Sequence, residues 1–131
     1  MASQTVRFEY DAGRNILFTE DDYEITTEKD VDDFVKINLE QLEKIGHKMY
    51  IICKIDGLHI SASVSEYYGK RIKEIIGQYN HGFARYGENP AARMTVRTAS
   101  RKADLESNIY SSREEAIEAI VRMQNASGSD R

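Results

Sequence analysis

The sequence predicts an α/β fold: a mixed β-sheet with an antiparallel hairpin at its N-terminal edge and three to four helices. Three observations predict it. Met49-Tyr50-Ile51-Ile52-Cys53-Lys54-Ile55 is an apolar run rich in β-branched and aromatic residues, as in a strand buried on both faces. After Asp56-Gly57, Ser61-Ala62-Ser63 opens a helical pattern of Val64, Tyr67/Tyr68, Arg71/Ile72, Ile75/Ile76 and Tyr79. Buried strand, loop and capped helix make half of a βαβ unit, and the loop after such a strand is where function usually sits. Finally, Val6, Phe8 and Tyr10 alternate with polar residues ahead of the turn Asp11-Ala12-Gly13-Arg14, which reads as one arm of a hairpin.

The remaining elements follow in order. Gly13 is the residue expected to take positive φ in the hairpin turn. Ile16 and Phe18 carry the second strand, Glu20-Asp21-Asp22 turns again, and Tyr23 and Ile25 form a short extended piece. Thr27-x-x-Asp30 starts a helix over 28–45, with Val31, Phe34/Val35, Leu39, Leu42 and Ile45 at helical spacing and Gly46 as its C-terminal cap. The strand 48–55 and the helix 62–79 come next, then a strand-like stretch from His81 ended by Gly87. Residues 92–99 alternate, with Met94, Val96 and Thr98 on one side and Arg93, Thr95 and Arg97 on the other, which reads as another strand. A short helix over 101–107 and a brief strand at Ile109-Tyr110 precede a capping box, Ser112-x-x-Glu115, and a last helix over 113–124. One domain, residues 1–124, is expected, with 125–131 a small, polar, flexible C-terminal tail.

Composition narrows the function. No stretch approaches the apolar length of a membrane span, and the N-terminus has no secretory pattern, so a cytoplasmic protein is expected. The lone Cys53, mid-strand, reads as a small buried hydrophobe unreactive to thiol reagents. The net charge of −4 is unevenly spread: Glu20 to Lys44 is acidic and Arg85 to Lys102 basic. Arg85, Arg93 and Arg97 are the anion-binding candidates, since arginine pairs bidentately with carboxylate and phosphate. The bland reading of the same arginines is a charged sheet edge that resists aggregation. They also leave room for self-association with the acidic helix 28–45 of another copy. Nucleic acid is disfavoured, because net basicity and interleaved aromatics are missing.

Catalytic patterns fail one by one. Gly69-Lys70 lacks the upstream glycine of a phosphate loop, Val64 standing in its place, so Gly69 reads instead as a point of close helix-to-sheet approach. His47, His59 and His81 have no metal-ligand spacing, so no metal and no cofactor is expected. Ser61, Ser63 and Ser65 lie near His59, with Asp56 at the strand end, yet no nucleophile elbow surrounds them, and serines at a helix start are usually caps.

Asn15-Ile16-Leu17-Phe18, the Thr26-Thr27 helix start, Met49 to Asp56 before a serine-bearing loop, and Ile109-Tyr110-Ser111-Ser112-Arg113-Glu114-Glu115-Ala116 together resemble the SpoIIAA-like (STAS-type) α/β fold. The resemblance covers nearly the whole chain and implies a regulatory, non-catalytic protein. Anti-sigma-factor antagonists of that family bind a kinase-like partner and are switched by phosphorylation of a serine at this helix start. Their usual Asp-Ser-Ser-Gly is replaced here by His59-Ile60-Ser61-Ala62-Ser63. The reading is therefore an interaction module with His59, Ser61, Ser63 and Ser65 as partner-binding or phospho-switch residues. The alternative is a small apolar-ligand or lipid binder with a pocket between helix 62–79 and the 83–99 region, near Tyr67, Tyr68, Tyr79 and Tyr86.

Overall fold

The computed structural model describes residues 2–127. Its elements are β1 (Thr5–Asp11), β2 (Ile16–Ile25), α1 (Glu28–Ile45), β3 (Met49–Ile60), a single 3-10 turn (Ala62–Val64), α2 (Ser65–Tyr79), β4 (Asn80–Tyr86), α3 (Pro90–Lys102), β5 (Ile109–Tyr110) and α4 (Arg113–Ser127). The five strands lie side by side in chain order. β1 and β2 are antiparallel, and every later neighbour pair is parallel. Crossovers of one hand between neighbouring parallel strands leave α1, α2 and α3 on one face of the sheet. There Val31, Phe34 and Leu42 of α1, Tyr68 and Ile75 of α2, and Val96 and Ala99 of α3 meet Leu17, Ile25, Met49, Ile55 and Ile60. α4 covers the other face, where Ala116 and Ile120 pack on Ile16, Phe18, Tyr50, Ile52 and Ala84. β3 is thus central and covered on both sides, as its apolar run predicts.

Local chemistry explains most element ends. Thr27 and Asp30 form a reciprocal capping box on α1, and Gly46, at φ 82°, closes it. In the hairpin, Asn15 takes the positive φ of 57°, not Gly13. Its amide explains the choice: Asn15 Oδ1 accepts from the Tyr10 hydroxyl at 2.7 Å, and its Nδ2 donates to the Lys48 carbonyl at 3.1 Å.

Five further expectations are corrected. The acidic triplet Glu20-Asp21-Asp22 is not a turn, and Asp56-Gly57 does not end β3. Both lie inside continuous strands at a bulge, where β3 carries one residue more than β2 between the Glu20–Lys54 and Asp22–Gly57 pairs. A Cβ on Gly57 would stand 2.7 Å from the Asp21 carbonyl, so glycine is needed for that approach. Residues 92–99 are helix, not strand. Asn89 Oδ1 accepts from the Ala91 and Ala92 amides, and Pro90 takes the first turn, where its missing N–H costs nothing. Ala92, Val96, Ala99 and Ser100 form the buried stripe of α3, which the buried Ala103 continues just past its end, whereas Met94 is 66% exposed. The short helix expected over 101–107 is absent, because α3 ends at Lys102. Finally, α4 extends to Ser127, so residues 125–127 of the expected tail are helical, and 128–131 lie outside the described residues.

Candidate functional site

The carboxyl end of β3 delivers the segment that sequence reasoning singled out. Ser61 N–H donates to the Ile25 carbonyl at 2.9 Å, and the Val64 N–H returns to the Ser61 carbonyl at 3.1 Å. This turns the chain into the 3-10 helix and then α2. His59, Ala62 and Ser63 are exposed, and Ser61 is half-buried. Neither serine caps: Ser61 precedes the 3-10 turn and Val64 precedes α2, both without a side-chain cap. Ser65 is different again, at 1% exposure. Its hydroxyl donates to the Ala62 carbonyl at 3.0 Å and accepts from Lys102 Nζ at 2.7 Å. It is an internal tie between α2 and α3 and is inaccessible to a partner.

The three arginines do not form one patch. Arg85 is buried at 6% exposure, with Nη1 donating to the Ser107 carbonyl at 2.7 Å and its guanidinium 4.9 Å from the centre of the Phe83 ring. Arg93 Nη1 donates to the carbonyls of Gly87 and Tyr110 at 2.6 and 3.0 Å, joining the ends of β4 and β5. Arg97 alone of the three is well exposed, and with Arg93, Arg101 and the exposed Met94 it borders a shallow depression on α3. The four tyrosines are scattered as well. Tyr67 donates to Asp32 at 2.7 Å and Tyr79 to Glu43 at 3.4 Å, both tying α2 to α1. Tyr86 packs on the α4 side of the sheet. Only Tyr68 of the four lines an interior cavity.

That cavity lies between α1, α2 and strands β2 to β4, so it touches the 83–99 region only at Phe83, Ala84 and Arg85 of β4 and takes α1 as a further wall. It has about 80 Å³ of room for the centre of a water-sized sphere. Parallel register builds its floor in rows: Leu17, Ile51 and Phe83 side by side, then Thr19, Cys53 and Arg85, with Asp21 one step further on β2. Phe34 and Leu42 of α1 and Tyr68, Ile72 and Ile76 of α2 form most of the walls, with Asn38, whose Nδ2 donates to the Phe34 carbonyl at 2.8 Å, among them. Asp21 is 3% exposed. Its Oδ2 accepts from the Cys53 thiol at 3.1 Å, while Oδ1 is the one buried side-chain oxygen or nitrogen among the described residues with no hydrogen-bond partner. Burial pushes the Asp21 carboxyl up to about 6, with Glu20 adding to the rise and the Cys53 thiol and Arg85 opposing it. Burial also pushes the Cys53 thiol well up, and the neighbouring Asp21 adds to this. Cys53 is half-buried because it borders this cavity, although it sits mid-strand at the centre of the sheet. Sequence reasoning missed Asp21 because three consecutive acids look like a solvated turn. The available signal was the alternation of Leu17, Thr19, Asp21 and Tyr23 on one face of a single strand.

Among the described residues, no group of three or more His, Cys, Asp or Glu is placed to hold a metal, and no helix is long and apolar enough to cross a membrane. A sheet in chain order, with an antiparallel hairpin at one edge and helices on both faces, is the SpoIIAA-like (STAS-type) fold. The chain is similar to the solved structure of the anti-sigma factor antagonist SpoIIAA in its unphosphorylated form, with a TM-score of 0.56 and 16% identity, over 92% of this chain and 97% of that one. At that identity the likeness is one of fold. No protein-family model and no curated protein matches the sequence.

Proposed function

We propose that this chain is a non-catalytic regulatory module that binds a protein partner through the segment joining β3 to α2. The observation that carries the reading is a polar strip left uncommitted by the fold. His59 and Ser63 are exposed beside the half-buried Ser61, and neither serine caps the helix behind it. The solved structure that the chain resembles is an antagonist of an anti-sigma factor, which supports a partner-binding role for the shared architecture. Its description as an unphosphorylated form supports phosphorylation as the means of control, and the exposed Ser63 is the serine this strip offers for it. A phosphate on Ser63 would add about two negative charges at the start of a helical segment, where exposed backbone amides favour an anion. The Lys102 ammonium, 3.5 Å from the Ala62 carbonyl, is the nearby cation.

The test compares the wild type with His59→Ala and Ser63→Asp. Both variants should keep the circular dichroism and melting temperature of the wild type, because both positions are exposed. Immobilised wild-type chain should retain a defined protein from extracts of its own cells, and each variant should retain it at least about tenfold less well, the scale of one hot-spot contact. Equal retention by all three would exclude this surface.

A further inference from the structure

We propose that the cavity between α1, α2 and the sheet is a binding site for a small uncharged molecule with an apolar body and one polar end, such as a primary amide or an alcohol, held by a hydrogen bond to Asp21 Oδ1. Buried polar side chains are almost always hydrogen-bonded, and Asp21 Oδ1 stands out among the described residues as the exception. The same carboxylate is fixed from its other side by the Cys53 thiol at 3.1 Å, so its free oxygen has a set position. The cavity that Asp21 lines is too large for one water, which needs about 10–15 Å³ of such room, against about 80 Å³ here. Nor are the walls suited to a water cluster. Leu17, Leu42, Ile51, Ile72, Ile76 and Phe83 are apolar, Asn38 turns its amide N–H to the Phe34 carbonyl, and the ionisable and hydroxyl groups gather at the end formed by Thr19, Asp21, Cys53, Arg85 and Tyr68. Ile51 and Cys53 are only half-buried in the central strand, so the helices do not seal this floor.

Charge selects the polar end. An ammonium group would meet the buried guanidinium of Arg85, and a carboxylate would meet Asp21 itself. An amide or hydroxyl carries no charge, donates to Asp21, and still offers an oxygen to a donor in the same wall. The site is separate from the β3–α2 strip, and its failure would leave the partner-binding proposal intact.

Titration of the full ¹⁵N-labelled chain with hexanamide, 1-hexanol, hexylamine and hexanoate at neutral pH tests this. Hexanamide or 1-hexanol should shift the backbone amides of Thr19, Asp21, Cys53 and Arg85 saturably. It should do so about tenfold or more tightly than either charged probe, the scale of one buried hydrogen bond. Asp21→Leu should abolish that preference by removing the acceptor. Ile76→Trp, at a half-buried wall position away from the acid, should block all four probes while leaving the fold intact, and it serves if the Asp21 variant does not fold. Ser63→Asp should change nothing. No saturable shift with any probe would overturn the proposal, as would equal affinity for neutral and charged probes, or unweakened binding to Ile76→Trp.

Discussion

Asp21 has a chemistry that its neighbours in sequence hide. Its folded-state carboxyl titrates near 6, against an ordinary value of 3.8. Between those values the folded protein keeps a proton that the unfolded chain has released. The stability this residue contributes is therefore fully present below about pH 4 and is lost as the pH rises through about 6. Burial is the main cause; Glu20 adds to it, and Cys53 and Arg85 reduce it. Asp21→Asn removes the titration. It should stabilise the protein by roughly 2–3 kcal/mol near pH 8 and by little near pH 4. Urea unfolding at the two pH values measures this, and parallel pH profiles for the two proteins would contradict it. Cys53 should share the consequence. With burial and Asp21 both opposing the thiolate, thiol reagents should label it slowly in the native protein and quickly in denaturant. At this scale the sequence was only partly legible. A lone cysteine inside an apolar run signalled a low-reactivity thiol, but three consecutive acids read as a turn, and only the alternation of Leu17, Thr19, Asp21 and Tyr23 set the buried acid apart from the half-buried acids on either side of it.

Two glycines of one helix separate packing from propensity. A Cβ on Gly69 would stand 2.4 Å from the Ala99 carbonyl and 2.9 Å from Ala103 Cβ, so this glycine lets α2 approach α3, rather than the sheet as its sequence position suggested. Gly77 has nothing within 4 Å of its Cβ direction. Gly69→Ala should lose about 1–3 kcal/mol despite its better helix propensity. Gly77→Ala should gain up to about 1 kcal/mol. Denaturant melts of both variants check the contrast, and a stabilised Gly69→Ala would refute the close packing of α2 on α3. Elements with two-sided signals were readable: α1 has both a capping box and a terminal glycine, and β3 has an unbroken apolar run. α3 was misread because Met94, Val96 and Thr98 alternate by accident of composition. The stronger signal lay at its start, in Asn89-Pro90-Ala91-Ala92, where cap and proline together specify a helix. The bulge at Gly57 was invisible for another reason. An Asp-Gly pair is the chemistry of a turn, and only the neighbouring strand decides that the chain continues straight.

For the molecule as a whole, protection should follow position in the sheet. β3 is paired on both edges and covered on both faces, whereas β5 contributes two residues and pairs only with β4. Amide hydrogen exchange should therefore be slowest over 50–55 and much faster over 103–110, because local opening of the rim needs far less than global unfolding. Comparable rates in the two segments would contradict this layout. The general architecture was legible because each parallel strand is followed by a helix in simple alternation. Which helices share a face was not, since that depends on crossover handedness and strand order.

The strictly sequential sheet also has a consequence for synthesis. As the chain leaves a ribosome, each strand finds its partner already made, so β1 to β5 and their three helices can assemble in the order of translation. The opposite face cannot. Ile16, Phe18, Tyr50, Ile52 and Ala84 wait for α4, whose Ala116 and Ile120 lie about a hundred residues after the first of them. A nascent chain stalled before Arg113 would present a formed sheet with one naked greasy side, and chaperones that recognise exposed apolar surface should hold it there until the closing helix emerges.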